Sequence, residues 1–350
     1  MSEIKISVIM PCYNGAKNIE NSIISFVNQS YQNKELIIVD GKSTDTSHAI
    51  IDKFCNEYSF IKWVNENDTS VTDALNIGIK YSTGDFIGFL MTDDHYCNNN
   101  FFLRCNQLKK YIDFDVLYSN TYYYLTANNK KEIYYWKPEN KLNRIAMLEK
   151  GSSTAIIDST LIRKSVFDTH LFDSSYNLCS DYEFFLRIDN GCLLFLYLDV
   201  YSTSCLYEGT NLSFLNYDFQ VKQFSKVIIK FLLENVSEED HSIFYKMLET
   251  NDKLSHKELV FGQKLLINLI EINNQKLFYP KDYFIDYILK LWVKTNKNYY
   301  GNIGFILNTY TSTLSGYRIP SKRTPIGLIK FLLYKTSKII RNFKTKIIIK

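Results

Sequence analysis

Two adjacent carboxylates, Asp93 and Asp94, follow Thr92 directly after the apolar run Phe86–Leu90. Paired carboxylates at a strand end present hard oxygen ligands, which suit Mg2+ or Mn2+. An acidic pair alone is weak evidence, because many such pairs are solvated loop ends. Three other polar clusters stand in the same relation to an apolar run: Cys12-Tyr13-Asn14-Gly15 after Ile4–Met10, Asp40-Gly41-Lys42-Ser43 closing Glu35–Asp40, and Asn65–Asp68 after Ile61–Val64. Far along the chain, Cys179-Ser180-Asp181-Tyr182-Glu183 opens a segment with helical spacing. A carboxylate there can take a proton in catalysis, or can simply cap the helix.

The elements that must position these groups are legible for the first hundred residues. Ile4–Met10 reads as a buried strand stopped by Pro11, and Glu35–Asp40, Ile61–Val64 and Phe86–Leu90 read as three more. Between them, Asn18–Gln29, a segment from Ser43 or Asp45 to Tyr58, and one from Ser70 or Thr72 to Tyr81 carry helical periodicity. Strand and helix alternate at βαβ spacing, which predicts a largely parallel sheet. Ligands of such sheets bind where the carboxyl ends of the strands emerge, and all four polar clusters fall there. Beyond residue 115 the pattern weakens. Asp115–Ser119 and Ile133–Trp136 read as a hairpin, Ile156–Ile162 as a strand, Ser180–Ile188 as a helix and Cys192–Leu198 as a strand. Helical periodicity dominates from about residue 216.

The chain has 350 residues, 46% of them hydrophobic, enough for a large core and against disorder. Its seven cysteines show no CxxC spacing and read as free thiols of a reducing cytosol rather than a zinc site. No signal-peptide pattern opens the sequence, and no apolar run reaches the ~18 residues of a spanning helix. Charge is unevenly spread. Nine Lys or Arg lie between Lys322 and Lys350, against a formal total of +4, so the remainder sums to −5. No acidic residue follows Asp286. On a helical wheel, Ile329, Leu332, Leu333, Ile339, Ile340, Phe343 and Ile347 face away from Lys330, Lys335, Lys338, Arg341 and Lys344. Such a tail suits an anionic membrane surface; the plainer reading is a packed helix with a solvated basic face. No base-reading motif accompanies it, which argues against nucleic acid.

The segments SVIMPCYNGAKNIENSIISFVNQSYQNKELIIVDGKSTDTS and ENDTSVTDALNIGIKYSTGDFIGFLMTDDHY resemble glycosyltransferase family 2, closely over residues 4–96. The resemblance continues more loosely through IIDSTLIRKSVF, FDSSYNLCSDYEFFLRI and GTNLS, to Ser213. It implies a GT-A fold: a Rossmann-like α/β, mixed and mainly parallel sheet flanked by helices, here with a C-terminal helical extension. It places Asp94 on a divalent metal, Mn2+ or Mg2+, and Asp93 near the ribose. Asp40 would accept a hydrogen bond from the nucleobase, although an Asx turn capping Gly41–Asp45 also accounts for it. Pro11, Tyr13 and Asn14 would line the base pocket, and Asp68 and Asp73 would approach the diphosphate and ribose. Asp73 would also serve the helix dipole. Asp181 would be the catalytic base, with Glu183 second. His95 is a candidate phosphate or metal contact, and Gly209–Ser213 a diphosphate loop. The sequence departs from the family at Ser70, usually Gly; at Thr72, usually aromatic; and at Ile157-Asp158, where relatives often carry His.

The expected organisation is a catalytic domain over residues 1–215, divided into a nucleotide-sugar half (1–115) and an acceptor half (116–215). A helical extension (216–320) and a basic amphipathic tail (321–350) follow. The expected function is inverting transfer of one sugar from a nucleoside-diphosphate sugar, UDP-linked by preference, to a glycan or lipid-linked glycan. The setting would be bacterial surface polysaccharide synthesis on the inner face of the cytoplasmic membrane. A sugar-phosphate nucleotidyltransferase is the alternative, but PCYNGAK is a poor match to its Gly-rich basic loop. A non-catalytic nucleotide- or glycan-binding relative would be expected to lack the acidic pair or the base.

Overall fold

The computed structural model describes residues 3–127, 130–138, 147, 155–189 and 192–207, with 220, 223, 224, 226, 227, 230 and 231. The chain divides into two units, Met1–Ile228 and Ile229–Lys350. The expected diphosphate loop Gly209–Ser213, nearly all of the helical extension and the whole basic tail lie outside the described residues.

In chain order the elements are β1 (Ile6–Cys12), α1 (Ile19–Val27), β2 (Lys34–Asp40), α2 (Ser47–Glu57), β3 (Ile61–Val64), α3 (Val71–Tyr81), β4 (Phe86–Phe89), β5 (His95–Tyr96), α4 (Phe101–Lys109), β6 (Val116–Ala127), β7 (Lys130–Trp136), β8 (Thr160–Arg163), α5 (Ser180–Ile188) and β9 (Phe195–Tyr207). Among the described residues the strands form one sheet in the order β3-β2-β1-β4-β8-β6-β9-β5, with β7 also on β6. The expected β1-to-β4 half is present and parallel. Over the whole sheet, parallel pairings are matched in number by antiparallel ones: β4–β8, β5–β9, β6–β7 and β6–β8 are antiparallel, and β6–β9 restores a parallel step. The fold is therefore an α/β fold with an evenly mixed sheet and flanking helices, not a mainly parallel one.

Every residue of β1 and β2 is buried, as strands covered on both faces require. On one face, Val8, Met10, Leu36 and Ile38 pack with Ile19, Ile23 and Phe26 of α1 and with Ile51 and Phe54 of α2. On the other face α3 lies close because Gly78 has no side chain: a Cβ there would come 2.3 Å from Ile9 Cγ2. Pro11 does not end β1 as expected. It pairs with Val39, beyond the last β1–β4 pair, Ile9↔Phe89, where a missing N–H costs no ladder bond to β4.

The second half of the sheet curls. β5 stands four strand steps from β4, yet Tyr96 on β5 donates to the Phe89 carbonyl of β4 at 3.5 Å. This fold-back brings the segment after β4 against β9. Among the described residues no helix is long and apolar enough to cross a membrane.

Candidate active site

The loops after β1 and β2 are laced together. Gly41 N–H donates to the Cys12 carbonyl (2.9 Å), Asn14 N–H to Ser43 Oγ (2.8 Å), and Ala16 N–H to Asp45 (3.0 Å). Asn14 takes a positive φ of 51°, which Asn tolerates, and its Oδ1 accepts from Thr44 N–H at 2.8 Å. Asn14 thus shapes the loop, while Tyr13 stands out from it, 67% exposed. Asp40 is fully buried. Its oxygens accept from Ser43 Oγ (2.5 Å) and contact His48 Nε2 (2.7 Å), so it does cap the turn after β2. The His48 ring lies over Trp63 of β3, centroids 5.2 Å apart.

The loop after β3 joins this rim. The Asp68 carboxylate presses on Gly41, where a Cβ would lie 2.7 Å from it. Burial, and then Asp73 and Asp40, raise the Asp68 carboxyl above the usual range. Asp73 is tied up locally: it accepts from Ser174 Oγ at 2.5 Å and from Thr69 Oγ1, and these bonds hold its carboxyl low. Ser70 is the cap of α3, accepting from Asp73 N–H at 3.1 Å. Thr72 is buried and donates to Ser180 Oγ at 3.1 Å, which ties the start of α3 to the start of α5.

The acidic pair is split by its surroundings. Thr92 rests on Gly15, and its carbonyl accepts from Ser22 Oγ at 2.8 Å, which sets the turn. Asp94 turns inward and is buried, with Oδ1 accepting from Leu206 N–H of β9 at 3.0 Å. There it meets Asp158 and Cys205, and one ligand atom from each lies within 4.8 Å of the others. Asp158 occupies the short 3₁₀ turn Ile157–Ser159, and its Oδ1 accepts from Met91 N–H at 2.8 Å. Buried hydroxyls hold this turn to β6 and β9: Ser159 Oγ donates to the Ser119 carbonyl (3.2 Å), and Ser119 Oγ meets Ser202 Oγ (2.5 Å). Burial raises Asp94 well above the usual carboxyl range, and Asp158 and Asp93 add to it. Burial likewise raises Asp158, with Asp93 and Asp181 adding to it. It also holds the Cys205 thiol protonated. A cation would favour the ionised forms of these buried acidic groups, so two carboxylates and a thiol could hold a divalent ion here. His95, on β5, is partly buried; burial lowers its imidazole and Asp93 opposes that.

Asp181 and Glu183 have distinct settings. Glu183 is wholly buried in a forked pair with Arg187, Nε to Oε1 at 3.0 Å and Nη2 to Oε2 at 3.0 Å, and Arg187 also donates to the Leu171 carbonyl. Its carboxylate is committed, which removes it as the second candidate for the base. Asp181 is partly buried, and burial raises its carboxyl above the usual range against the pull of the Tyr182 N–H. It lies within electrostatic reach of Asp158 and of the Tyr123 phenol. Asp158 thus stands in the field of Asp93, after β4, and of Asp181, at the start of α5, while Asp94 and Cys205 join it in the buried cluster. Sequence reasoning had marked Asp158 only as a departure from the family pattern and had read Cys205 as one of seven unremarkable thiols.

An α/β sheet that gathers polar loops and carboxylates at the carboxyl ends of its strands defines a nucleotide-type ligand site. Residues 7–171 match the model for Glycosyl transferase family 2, and that part of the chain belongs to the family. An Escherichia coli UDP-Glc:alpha-D-GlcNAc-diphosphoundecaprenol beta-1,3-glucosyltransferase, WfgD, is 31% identical over 172 residues, 48% of this chain and 65% of that protein. An uncharacterized glycosyltransferase of Rickettsia bellii is 36% identical over 124 residues, 35% of this chain and 17% of that protein. The chain thus spans less than two thirds of the length of these curated relatives. Among solved structures, S. aureus TarS 1-349 in complex with UDP superposes with a TM-score of 0.56 at 16% identity, covering 91% of this chain and 94% of that one. At that identity the likeness is one of fold.

Proposed function

We propose that the chain is an inverting, metal-dependent glycosyltransferase of GT-A type. It moves one sugar from a nucleoside-diphosphate sugar, UDP-linked by preference, to a lipid-linked glycan in bacterial surface polysaccharide synthesis. The observation that carries this reading is the buried Asp94–Asp158–Cys205 donor set, with Asp181 within electrostatic reach of Asp158. Asp94 and Asp158 would hold Mn2+ or Mg2+, which neutralises the diphosphate as it leaves. Asp93 sits beside the ribose, with Asp68 and Asp73 toward the diphosphate. Tyr13 stacks on the base, Pro11 and Asn14 shape its pocket, and Asp40 accepts from the base once His48 gives way. Asp181 takes the proton of the acceptor hydroxyl, and its raised carboxyl suits a base at neutral pH.

UDP as the nucleotide is supported by the UDP-Glc donor of the E. coli relative and by the UDP held by the structural neighbour. The same relative's diphosphoundecaprenol acceptor supports a lipid-linked one. The catalytic domain is assigned to residues 1–215, the helical extension to 216–320 and a membrane-surface tail to 321–350. The deciding experiment is a panel of nucleotide sugars with Mn2+ or Mg2+, scored for binding and for release of nucleoside diphosphate. Turnover that is independent of divalent ions, or no binding of any nucleotide sugar, overturns the reading.

A further inference from the structure

Strand β6 outlasts its first partner. Val116–Tyr118 pair with β8, and from Thr121 onward β7 takes that side while β9 runs along the other. β8 is antiparallel to both β4 and β6, so β6 points the same way as β4 and its C-terminal half emerges at the rim that carries the acidic pair. Register sets Tyr135 of β7, Tyr122 of β6, Ser204 of β9 and His95 of β5 in one cross-strand row, and paired residues share a sheet face. Three strand spacings, about 15 Å along the sheet, separate the ends of that row, and His95 directly follows Asp94.

Two kinds of chemistry stand side by side on this face. One is an aromatic box. Tyr122 stacks on Tyr201 with centroids 4.3 Å apart, and Tyr135 meets both rings edge-on, at 5.2 and 5.7 Å. Tyr135 keeps 64% of its surface exposed. The other is a polar net. Lys137 Nζ donates to Asp199 at 2.8 Å, Asn120 Nδ2 donates to the same carboxylate at 2.9 Å, and the Tyr197 hydroxyl donates to Asn120 Oδ1 at 2.7 Å. Asn120 and Tyr122 alternate onto one face of β6, and Asn120 pairs with Tyr201, so net and box adjoin. The Lys137 and Asp199 side chains still expose 51% and 62% of their surface. One ammonium against one carboxylate leaves this net neutral, which gives an anionic lipid surface or a nucleic acid no surplus cation to bind. A sugar unit suits both parts. The C–H face of its ring packs on an aromatic ring, while its hydroxyls donate to the carboxylate and accept from the ammonium and amide. Apolar walls with a few placed polar groups are what orient such ligands.

We propose that the Tyr122–Tyr135–Tyr201 box and the Lys137–Asp199 pair beside it form a glycan-binding subsite, which holds a sugar unit of the acceptor at a distance from the hydroxyl that reacts. This rests on the glycosyltransferase reading above and adds a place for the acceptor to it. The row from Tyr135 to His95 sets the direction of the glycan, its reacting end toward the acidic pair and its preceding units over the tyrosines. No bond forms or breaks at the subsite; it binds and orients.

The test compares the full chain with Tyr135→Ala and with Tyr134→Ala, which removes a ring of similar exposure, 59%, from the opposite face of the same strand. Each is read on an array of bacterial surface oligosaccharides, then by calorimetry with the best-bound oligosaccharide and, separately, with UDP and Mn2+. Co-sedimentation with phosphatidylglycerol vesicles, sedimentation velocity of the protein alone and Tm complete the set. Tyr135→Ala is expected to weaken oligosaccharide binding about 10-fold or more, with UDP affinity and Tm at the wild-type level. Tyr134→Ala is expected to match wild type throughout. Wild type that binds UDP but no oligosaccharide, or Tyr135→Ala that binds oligosaccharide as wild type does, overturns the subsite and leaves the enzyme reading standing. A loss in Tyr135→Ala confined to vesicle binding, or to self-association, also overturns it, since the box then faces a membrane or a second copy. Wild type that binds no UDP removes the glycosyltransferase reading and the acceptor role with it.

Discussion

Asp181 and Glu183 sit two residues apart at the start of α5, and opposite responses to neutralisation should separate them. Asp181→Asn keeps the shape and removes the charge. Because burial raises the folded carboxyl above its ordinary value, the ionised form costs the native state stability at neutral pH. The amide removes that cost, so Tm should hold or rise while kcat falls roughly 100- to 10,000-fold, the range for a lost general base. Glu183→Gln leaves Arg187 without its forked partner. Breaking a buried pair costs about 3–5 kcal/mol, and because Arg187 keeps 26% of its side-chain surface exposed, the lower end applies. For a unit of this size, about 3 kcal/mol lowers Tm by roughly 6–12 °C. Differential scanning fluorimetry and single-turnover transfer on the same preparations would read both. A stable, inactive Glu183→Gln beside an active Asp181→Asn would refute the assignment of the base.

Asp94→Ala and Asp158→Ala should each abolish Mn2+-dependent UDP binding, and calorimetry showing wild-type affinity for either would remove that residue from the ion site. Thr72→Val unties α3 from Ser180 and should cost about 1–2 kcal/mol in urea unfolding, with no change in UDP affinity; no loss of stability would deny the link structural weight. Glu35 is buried, yet its bonds from Lys62, Ser7 and Thr83 outweigh desolvation and hold its carboxyl far below the usual range. Its stabilisation is therefore full above the unfolded value of 4.5 and fades as pH falls below it; Glu35→Gln should flatten the acid limb of a Tm-versus-pH curve, and an unaltered limb would contradict this. Removing residues 325–350 should shift the protein from membranes to the soluble fraction, and unchanged fractionation would rule out the tail as an anchor.

The parts of the fold that were readable in the chain are those whose signal is local. β1 to β4 are apolar runs, and α3 begins at a polar cap, Ser70, before a periodic face. The misreadings share a physical cause, buried polar side chains. Strand β6 was expected to stop at Ser119, but Ser119, Asn120 and Thr121 are all buried and continue it. Strand β9 was expected to end at Leu198, yet it runs through Ser202, Thr203 and Ser204. These hydroxyls satisfy one another across the strands, Ser119 with Ser202 and Thr121 with Thr203, so burial costs little. No pattern rule sees that, because each half of the pair looks solvent-seeking alone. Helix α4 was passed over for the same reason: Asn106 lies on its buried face, and no side chain caps its start.

By itself the sequence determined that carboxylates and tight loops would collect at one rim, since βα alternation forces every strand of a parallel half to emerge on the same side. It also marked Asp93, Asp94 and Asp181 as the groups able to do chemistry. Only the tertiary structure decided which groups meet. Asp94 faces Asp158 and Cys205 because the sheet curls β5 onto β9 and a 3₁₀ turn leads into β8. Tyr122 meets Tyr135 and Tyr201 because one long strand, β6, pairs with both neighbours at once. Those meetings depend on strand register between distant segments, and register is set by the packing of whole faces, which no local stretch of residues contains.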